Sequence, residues 1–381
     1  MSIFADLFGN VLNLKPQMVV MWIIGGILIY LAIKKDMEPT LLLPMGFGTI
    51  LVNIPLSGAI TQMVDGVAEE GALTTLFNAG IANELFPLIL FIGIGAMIDF
   101  TPVLSNPKLM IFGAAAQFGI FFTFCLASMF FTTPEAASIG IIGAADGPTA
   151  IVVANKLIGA DSDITGAIMV AAYSYMALVP IIQPPVIKLL TTKKERLIRM
   201  DNSNVTVSKL TKILFPIVVT IVAGIVAPSS VSLVGFLMFG NLIRECGVLD
   251  SLSETAQKVL ANLITIFLGI TIACQMQYDK FLQPSTLLIL GLGLFAFIFD
   301  TAGGVLFAKL LNLFLPKDKK LNPMIGAAGI SAFPMSGRVV HKLGLAEDKQ
   351  NFLLMHSIGV NVSGQIASVI AGGLILNFFM K

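Results

Sequence analysis

The sequence predicts an all-α polytopic membrane protein, with about 10–12 membrane segments and two inverted repeats containing broken or re-entrant helices. Three observations predict it. Hydrophobic residues make up 56% of the 381 positions and charged residues only 12%, at a mean hydropathy of +0.92. Soluble domains carry about 25% charged residues. Apolar runs of membrane-spanning length recur along the whole chain. Two of these runs also mix glycine, proline and polar residues, and they do so in matching order. The net charge of +1 gives no strongly basic surface, so no nucleic-acid partner is expected. Cys125, Cys246 and Cys274 form no C-x-x-C pair, and His341 and His356 are isolated, so neither a disulfide framework nor a metal cluster is expected. No basic region followed by a small-residue cleavage site opens the chain, so no removable signal peptide is expected.

Residues 1–84 read as an N-terminal scaffold. Ile3–Leu14 is an amphipathic piece able to lie on the membrane surface. Met18–Ile33 is a first span, closed by Lys34 and Lys35 on a cytoplasmic end. Thr40–Leu56 is apolar but broken by Pro44, Gly46, Gly48 and Pro55, and fits a span or a re-entrant segment. Ser57–Glu84 is polar and reads as an interfacial loop or surface helix.

Residues 85–190 form a first repeat, with spans expected near 86–97, 109–131, 139–155 and 166–189. Residues 191–260 bring a basic loop over 191–211, cytoplasmic by the positive-inside rule, and two linking spans near 213–227 and 231–243. Residues 261–381 form a second repeat, with spans near 259–274, 285–313, 324–338 and 352–379. Phe91-Ile-Gly-Ile94 recurs as Phe267-Leu-Gly-Ile270, and Ile142-Gly-Ala-Ala145 recurs as Ile325-Gly-Ala-Ala328. The link 131–136 before the first Gly-Ala-Ala has no lysine or arginine, whereas its counterpart 316–320 has three lysines, which suggests opposite sidedness.

The chemistry concentrates in the two broken runs. Gly143-Ala-Ala-Asp-Gly-Pro-Thr-Ala150 puts one carboxylate in an apolar stretch, where a central Asp costs roughly 2.5–3.5 kcal/mol on insertion scales. Gly147 and Pro148 cannot hold a regular helix, so Asp146 stands beside freed backbone carbonyls. Such hard oxygen ligands suit a small hard cation. The second run, Asn322 to Arg338, offers neutral oxygens from Asn322 and Ser331, a backbone break around Gly326, and a fixed cation in Arg338. Asn361 follows in the next span. Tyr173 and Tyr175 are two of only four tyrosines, each able to hydrogen-bond an ion-site carboxylate or sit at the interface. Asp99 is either another site carboxylate or a membrane-edge residue. These features fit any cation-coupled transporter, so a Na+/carboxylate symporter and a Na+/H+ antiporter both stay open on this reading.

Over nearly its whole length the chain resembles the integral membrane β subunit of sodium-translocating biotin-dependent decarboxylases, which act on oxaloacetate, methylmalonyl-CoA or glutaconyl-CoA. The resemblance rests on Gly143–Ala150, on Ala171-Ala-Tyr-Ser-Tyr-Met through Gln183-Pro-Pro185, on Gly240-Asn-Leu-Ile-Arg-Glu-Cys-Gly-Val248, and on Asn322–Arg338. Cys246 stands where the family often has serine. The resemblance implies a multi-pass subunit in a bacterial cell membrane. There it decarboxylates carboxybiotin brought by a biotin carrier protein, exports Na+ and consumes a proton. It further implies a carboxyltransferase α subunit, a small membrane γ or δ subunit, and several β copies in one complex. The chain has no Met-Lys-Met biotin-attachment site, so it needs such partners. By the same resemblance, Asp146, Asn322, Ser331 and Asn361 are expected to bind Na+. Ser331 or Tyr175 is expected to pass the proton, and Arg338 to hold the carboxylate of carboxybiotin or balance the charge of the empty site.

Overall fold

A computed structural model describes residues 9–35, 37–64, 66–200, 206–316 and 319–380. Of the amphipathic piece expected at 3–14, residues 3–8 lie outside this set, and Gly9–Asn13 forms a short 3-10 helix. The described chain is helical, apart from a three-residue hairpin pairing Gln62–Val64 with Val67–Glu69.

The principal helices are α1 (Pro16–Lys35), α2 (Pro39–Val52), α3 (Leu85–Met97), α4 (Met110–Ala116), α5 (Phe118–Ala127), α6 (Thr133–Gly140) and α7 (Gly147–Ile158). They continue as α8 (Asp163–Leu190), α9 (Lys209–Val226), α10 (Val231–Glu245), α11 (Ala261–Ile272), α12 (Pro284–Phe314), α13 (Met335–Glu347) and α14 (Leu354–Phe379). Seven stretches are long and apolar enough to cross a membrane, α12 being the longest at 31 residues. A bent pair, Ala72–Ala82 with α3 at 62°, adds an eighth, and α2 and α7 are shorter apolar helices. At about 1.5 Å per residue, α12 reaches some 46 Å, ample for a hydrocarbon core of about 30 Å.

The two runs expected from sequence to be broken are broken. Over 139–155, α6 ends in a 3-10 turn at Ile141–Ala144, and α7 starts only at Gly147. Over 324–338 there is a 3-10 helix at Pro323–Gly329, then extended chain, then α13. The same order surrounds both breaks, a long span before (Pro107–Ala127; α12) and a long span after (α8; α14).

Close backbone approach holds the breaks in place. A Cβ on Gly326 would stand 2.0 Å from the Gly304 carbonyl oxygen of α12, and the reverse distance is the same. Only glycine permits that crossing. Gln183, in the Gln-Pro-Pro stretch of α8, donates to the Ala327 carbonyl at 2.7 Å and to the Ser336 hydroxyl at 2.9 Å. The cytoplasmic loop is fastened at the same end. The Arg196 carbonyl accepts from both Asn322 Nδ2 and Asn351 Nδ2 at 2.9 Å, and the Arg196 side chain pairs with Glu347 at 2.7 Å. Lys212 pairs with Glu245, and Arg244 donates to the Met97 carbonyl at 2.8 Å, so the mouth beside Met97 shares this basic end. By the positive-inside rule that basic end is the one expected on the cytoplasmic side.

Candidate ion site at the crossed loops

Ala145 adopts a left-handed backbone, φ 54°, and turns the chain so that Asp146 caps α7. Pro148 falls in the first turn, where a missing N–H costs the helix nothing. Asp146 Oδ1 accepts the Thr149 amide at 3.5 Å. Asp146 Oδ2 accepts the Thr149 hydroxyl at 2.7 Å, the Gln365 amide at 2.9 Å and the Ser368 hydroxyl at 3.1 Å. The residue is 3% exposed, and among the described residues no lysine or arginine pairs with it. Every donor around this buried charge is neutral. A carboxylate in that setting lacks a counter-ion, and a small cation would supply one.

The second break lies directly against the first. The Ser331 amide donates to the Ala144 carbonyl at 3.0 Å, and the Ser331 hydroxyl to the Gly364 carbonyl at 3.0 Å. Asn361 Nδ2 donates to the Ile330 carbonyl at 2.7 Å, leaving its buried Oδ1 without a partner. A cavity of about 240 Å³ has Asp146, Tyr173, Ser331 and Gln365 among its lining residues, and reaches Glu38, Thr40, Met97 and Gln257 at the basic end.

Tyr173, not Tyr175, is the tyrosine beside Asp146. Its ring lies so close to Gly147 that an added Cβ there would be 2.4 Å from Cε2, and its buried hydroxyl has no partner among the described residues. Two residues along a helix are about 200° apart, so Tyr175 must face away. Its hydroxyl donates to the Leu290 carbonyl, and its ring packs on Gly293. Asn322 is likewise placed elsewhere. Its Oδ1 accepts the Met324 amide at 3.1 Å, its Nδ2 ties down the cytoplasmic loop, and it does not line the cavity. Gly326 serves the crossing with α12.

Asp99 belongs to the membrane edge. It accepts the Thr101 amide at 2.9 Å and sits 3.9 Å from Arg244. Burial pushes its carboxyl up, but the Thr101 hydroxyl and amide and the Arg244 guanidinium outweigh it and hold it below the usual carboxylate range. Arg338 is exposed in the first turn of α13 and makes no ion pair among the described residues. It stands one turn beyond Pro334, which lines the cavity.

Sequence reading missed Gln365 and Ser368 as partners of Asp146. The signal was available: Asn361, Gln365 and Ser368 follow i, i+4, i+7 spacing, a polar stripe on an otherwise apolar helix.

Residues 17–379 match the family model described as Na+-transporting oxaloacetate decarboxylase beta subunit. The chain is 47% identical to the methylmalonyl-CoA decarboxylase subunit beta of Propionigenium modestum, over 96% of each chain. It is 45% identical to the oxaloacetate decarboxylase beta chain of Klebsiella pneumoniae, over 97% of each. It is 50% identical to the methylmalonyl-CoA decarboxylase subunit beta of Veillonella parvula, over 94% of this chain and 92% of the relative. With its long apolar helices and this full-length similarity, the chain is a multi-pass bacterial membrane protein that belongs to the β-subunit family of Na+-transporting decarboxylases.

Proposed function

We propose that this chain is the sodium-pump subunit of a biotin-dependent decarboxylase, and that Asp146 is its Na+ ligand. The observation that carries the reading is the cavity from the basic end to a buried carboxylate held only by neutral donors. One carboxylate among hydroxyl and amide oxygens suits a hard monovalent cargo. Ser331 from the second loop and Oδ1 of Asn361 on α14, which has no partner among the described residues, complete the oxygen set. Asn322 acts by fastening that loop, in place of ligating the ion.

Carboxybiotin, delivered by a partner carrier protein that a carboxyltransferase subunit charges, supplies the driving chemistry. Its N–CO2 bond breaks, CO2 leaves, and one proton takes its place on the ring nitrogen. The chain's own part is to hold the anion and move that proton. Arg338, a guanidinium near the cavity with no ion pair among the described residues, is suited to grip a carboxylate. Tyr173 and Ser331, both lining the cavity, are the hydroxyls suited to pass the proton that Asp146 gives up on binding Na+ to the ring nitrogen of carboxybiotin. Asp146 is reprotonated as Na+ leaves on the opposite side. A small γ or δ subunit and further β copies complete the complex.

The test uses the purified complex in sealed vesicles, with decarboxylation and Na+ uptake followed together. Wild type should require Na+ for turnover and should move it, and Asp146→Asn should do neither. Na+ uptake that continues without any biotin partner would overturn the decarboxylase reading in favour of a symporter.

A further inference from the structure

A second carboxylate is buried deeper than Asp146. Asp300 sits midway along α12, is 0% exposed, and neither of its oxygens closes a hydrogen bond of normal geometry among the described residues. It has no cationic partner there. It faces the break in the span Pro107–Ala127, where α4 stops at Ala116 and α5 restarts at Phe118. A Cβ on Gly119 would stand 2.0 Å from Asp300 Oδ1, and the amides of Gly119 and Ile120 face the carboxylate. Those amides belong to the first turn of a ten-residue helix, the end that favours a negative charge.

The other side of that turn supports the Asp146 loop. A Cβ on Gly143 would meet the Ile120 amide nitrogen at 3.2 Å and Ala296 of α12 at 3.4 Å. A Cβ on Gly140 would meet the Ile120 carbonyl at 2.9 Å. One turn beyond Asp300 on α12, Gly304 bears on Gly326 of the second loop. Asp300 therefore stands on the helix that touches both loops, against the turn on which the Asp146 loop rests.

We propose that Asp300 is a positioning residue for ion binding: its carboxyl oxygens, set against the Gly119 and Ile120 amides, hold the start of α5, and through Ile120 and Gly143 fix the register of the Asp146 loop. This rests on the reading of Asp146 as the Na+ ligand. An asparagine at 300 keeps the shape but turns an –NH2 or a weaker acceptor towards two N–H groups, so the turn loosens. The effect falls on assembly of the ion site, so Na+ affinity drops while saturated turnover survives.

The experiment compares wild type, Asp300→Asn and Asp146→Asn in the assembled complex, measuring the rate against Na+ concentration. Asp300→Asn should raise half-saturating Na+ about tenfold with saturated turnover within about twofold. Gly119→Ala, whose methyl would stand 2.0 Å from Asp300 Oδ1 and 2.6 Å from the Asp300 backbone nitrogen, displaces both the carboxylate and α12 from the same amides and should raise half-saturating Na+ at least as much. An unchanged Na+ curve in Asp300→Asn overturns the inference. If Asp146→Asn leaves the curve unchanged, the Asp146 reading fails instead, and the two failures are told apart. Deuterium uptake of the unmodified complex provides a measurement free of folding effects. Na+ should slow exchange in peptides covering 117–124, and identical uptake with and without Na+ overturns the inference even where the variants fail to assemble.

Discussion

The amide of Ser331 donates to the carbonyl of Ala144 at 3.0 Å, so the two broken segments meet backbone to backbone one residue from the turn that carries Asp146. Neither loop is free to shift alone. The candidate ion site is thus a joint property of both halves of the chain, and variants in either half should be felt in the other.

The tyrosines should separate cleanly. Tyr173→Phe removes a hydroxyl beside Asp146 and should lower decarboxylation by 10²-fold or more, the range of a lost proton-transfer group. Tyr175→Phe removes a bond to the Leu290 carbonyl, and should cost about 1 kcal/mol of stability with activity within a few fold. Initial rates and thermal unfolding of the two variants decide this. Equal losses of activity would refute the assignment by helix face.

Asn322→Ala should act on stability. It leaves the carbonyl of Ile198 and the amide of Met324 without this partner and the carbonyl of Arg196 with Asn351 alone, and the loss of these bonds should cost about 1–3 kcal/mol. Half-saturating Na+, measured at a temperature where the variant stays folded, should change by less than about threefold. A large rise in that value with unaltered stability would return Asn322 to the ion site.

Gly326→Ala should be among the most damaging small changes in the chain. Its methyl would press on the Gly304 carbonyl, and overpacking of this kind costs about 1–3 kcal/mol or more. The yield of assembled complex and its melting temperature report the effect. A normal melting temperature would show that α12 can move aside.

Asp99→Asn tests the membrane edge and carries a defined pH signature. A carboxyl held below its ordinary value adds stability above about pH 4 and loses it as the pH falls through the lowered folded value. Because the side chain is 45% exposed, the contribution at pH 7 should be only about 0.5 kcal/mol. The difference between Asp99→Asn and wild type should therefore close on acidification, with the Na+ curve unchanged throughout. A shifted Na+ curve would place Asp99 in the ion path.

Much of this arrangement was legible from residue types alone. Asp146 with Gly147 and Pro148 announced a break, because a carboxylate, a helix breaker and an imino acid do not share a regular span. Asn322, Ser331 and Arg338 announced a second polar segment. Which polar atom faces which was not legible. Tyr173 and Tyr175 are chemically identical in sequence, and only the helix phase, fixed by the packing of α8 on α7 and α12, separates them. Asn322 shares its amide chemistry with Asn361, yet one caps a 3-10 helix at the cytoplasmic end and the other sits beside Ser331. Asp300 passed unnoticed because it lies in a long apolar run with no glycine or proline adjacent, and its meaning comes from Gly119, far away in sequence.

The neutral shell around Asp146 has a consequence for tightness of coupling. An empty site is a net anion, and enclosing it away from water is strongly disfavoured in a low-dielectric interior. A site holding one monovalent cation, whether Na+ or a proton, is electrically neutral and can be enclosed at little cost. With no arginine or lysine among the described residues to neutralise it, a pocket that carries Na+ on Asp146 would travel only when occupied, and electrostatics alone would block an unloaded return stroke that dissipates the sodium gradient.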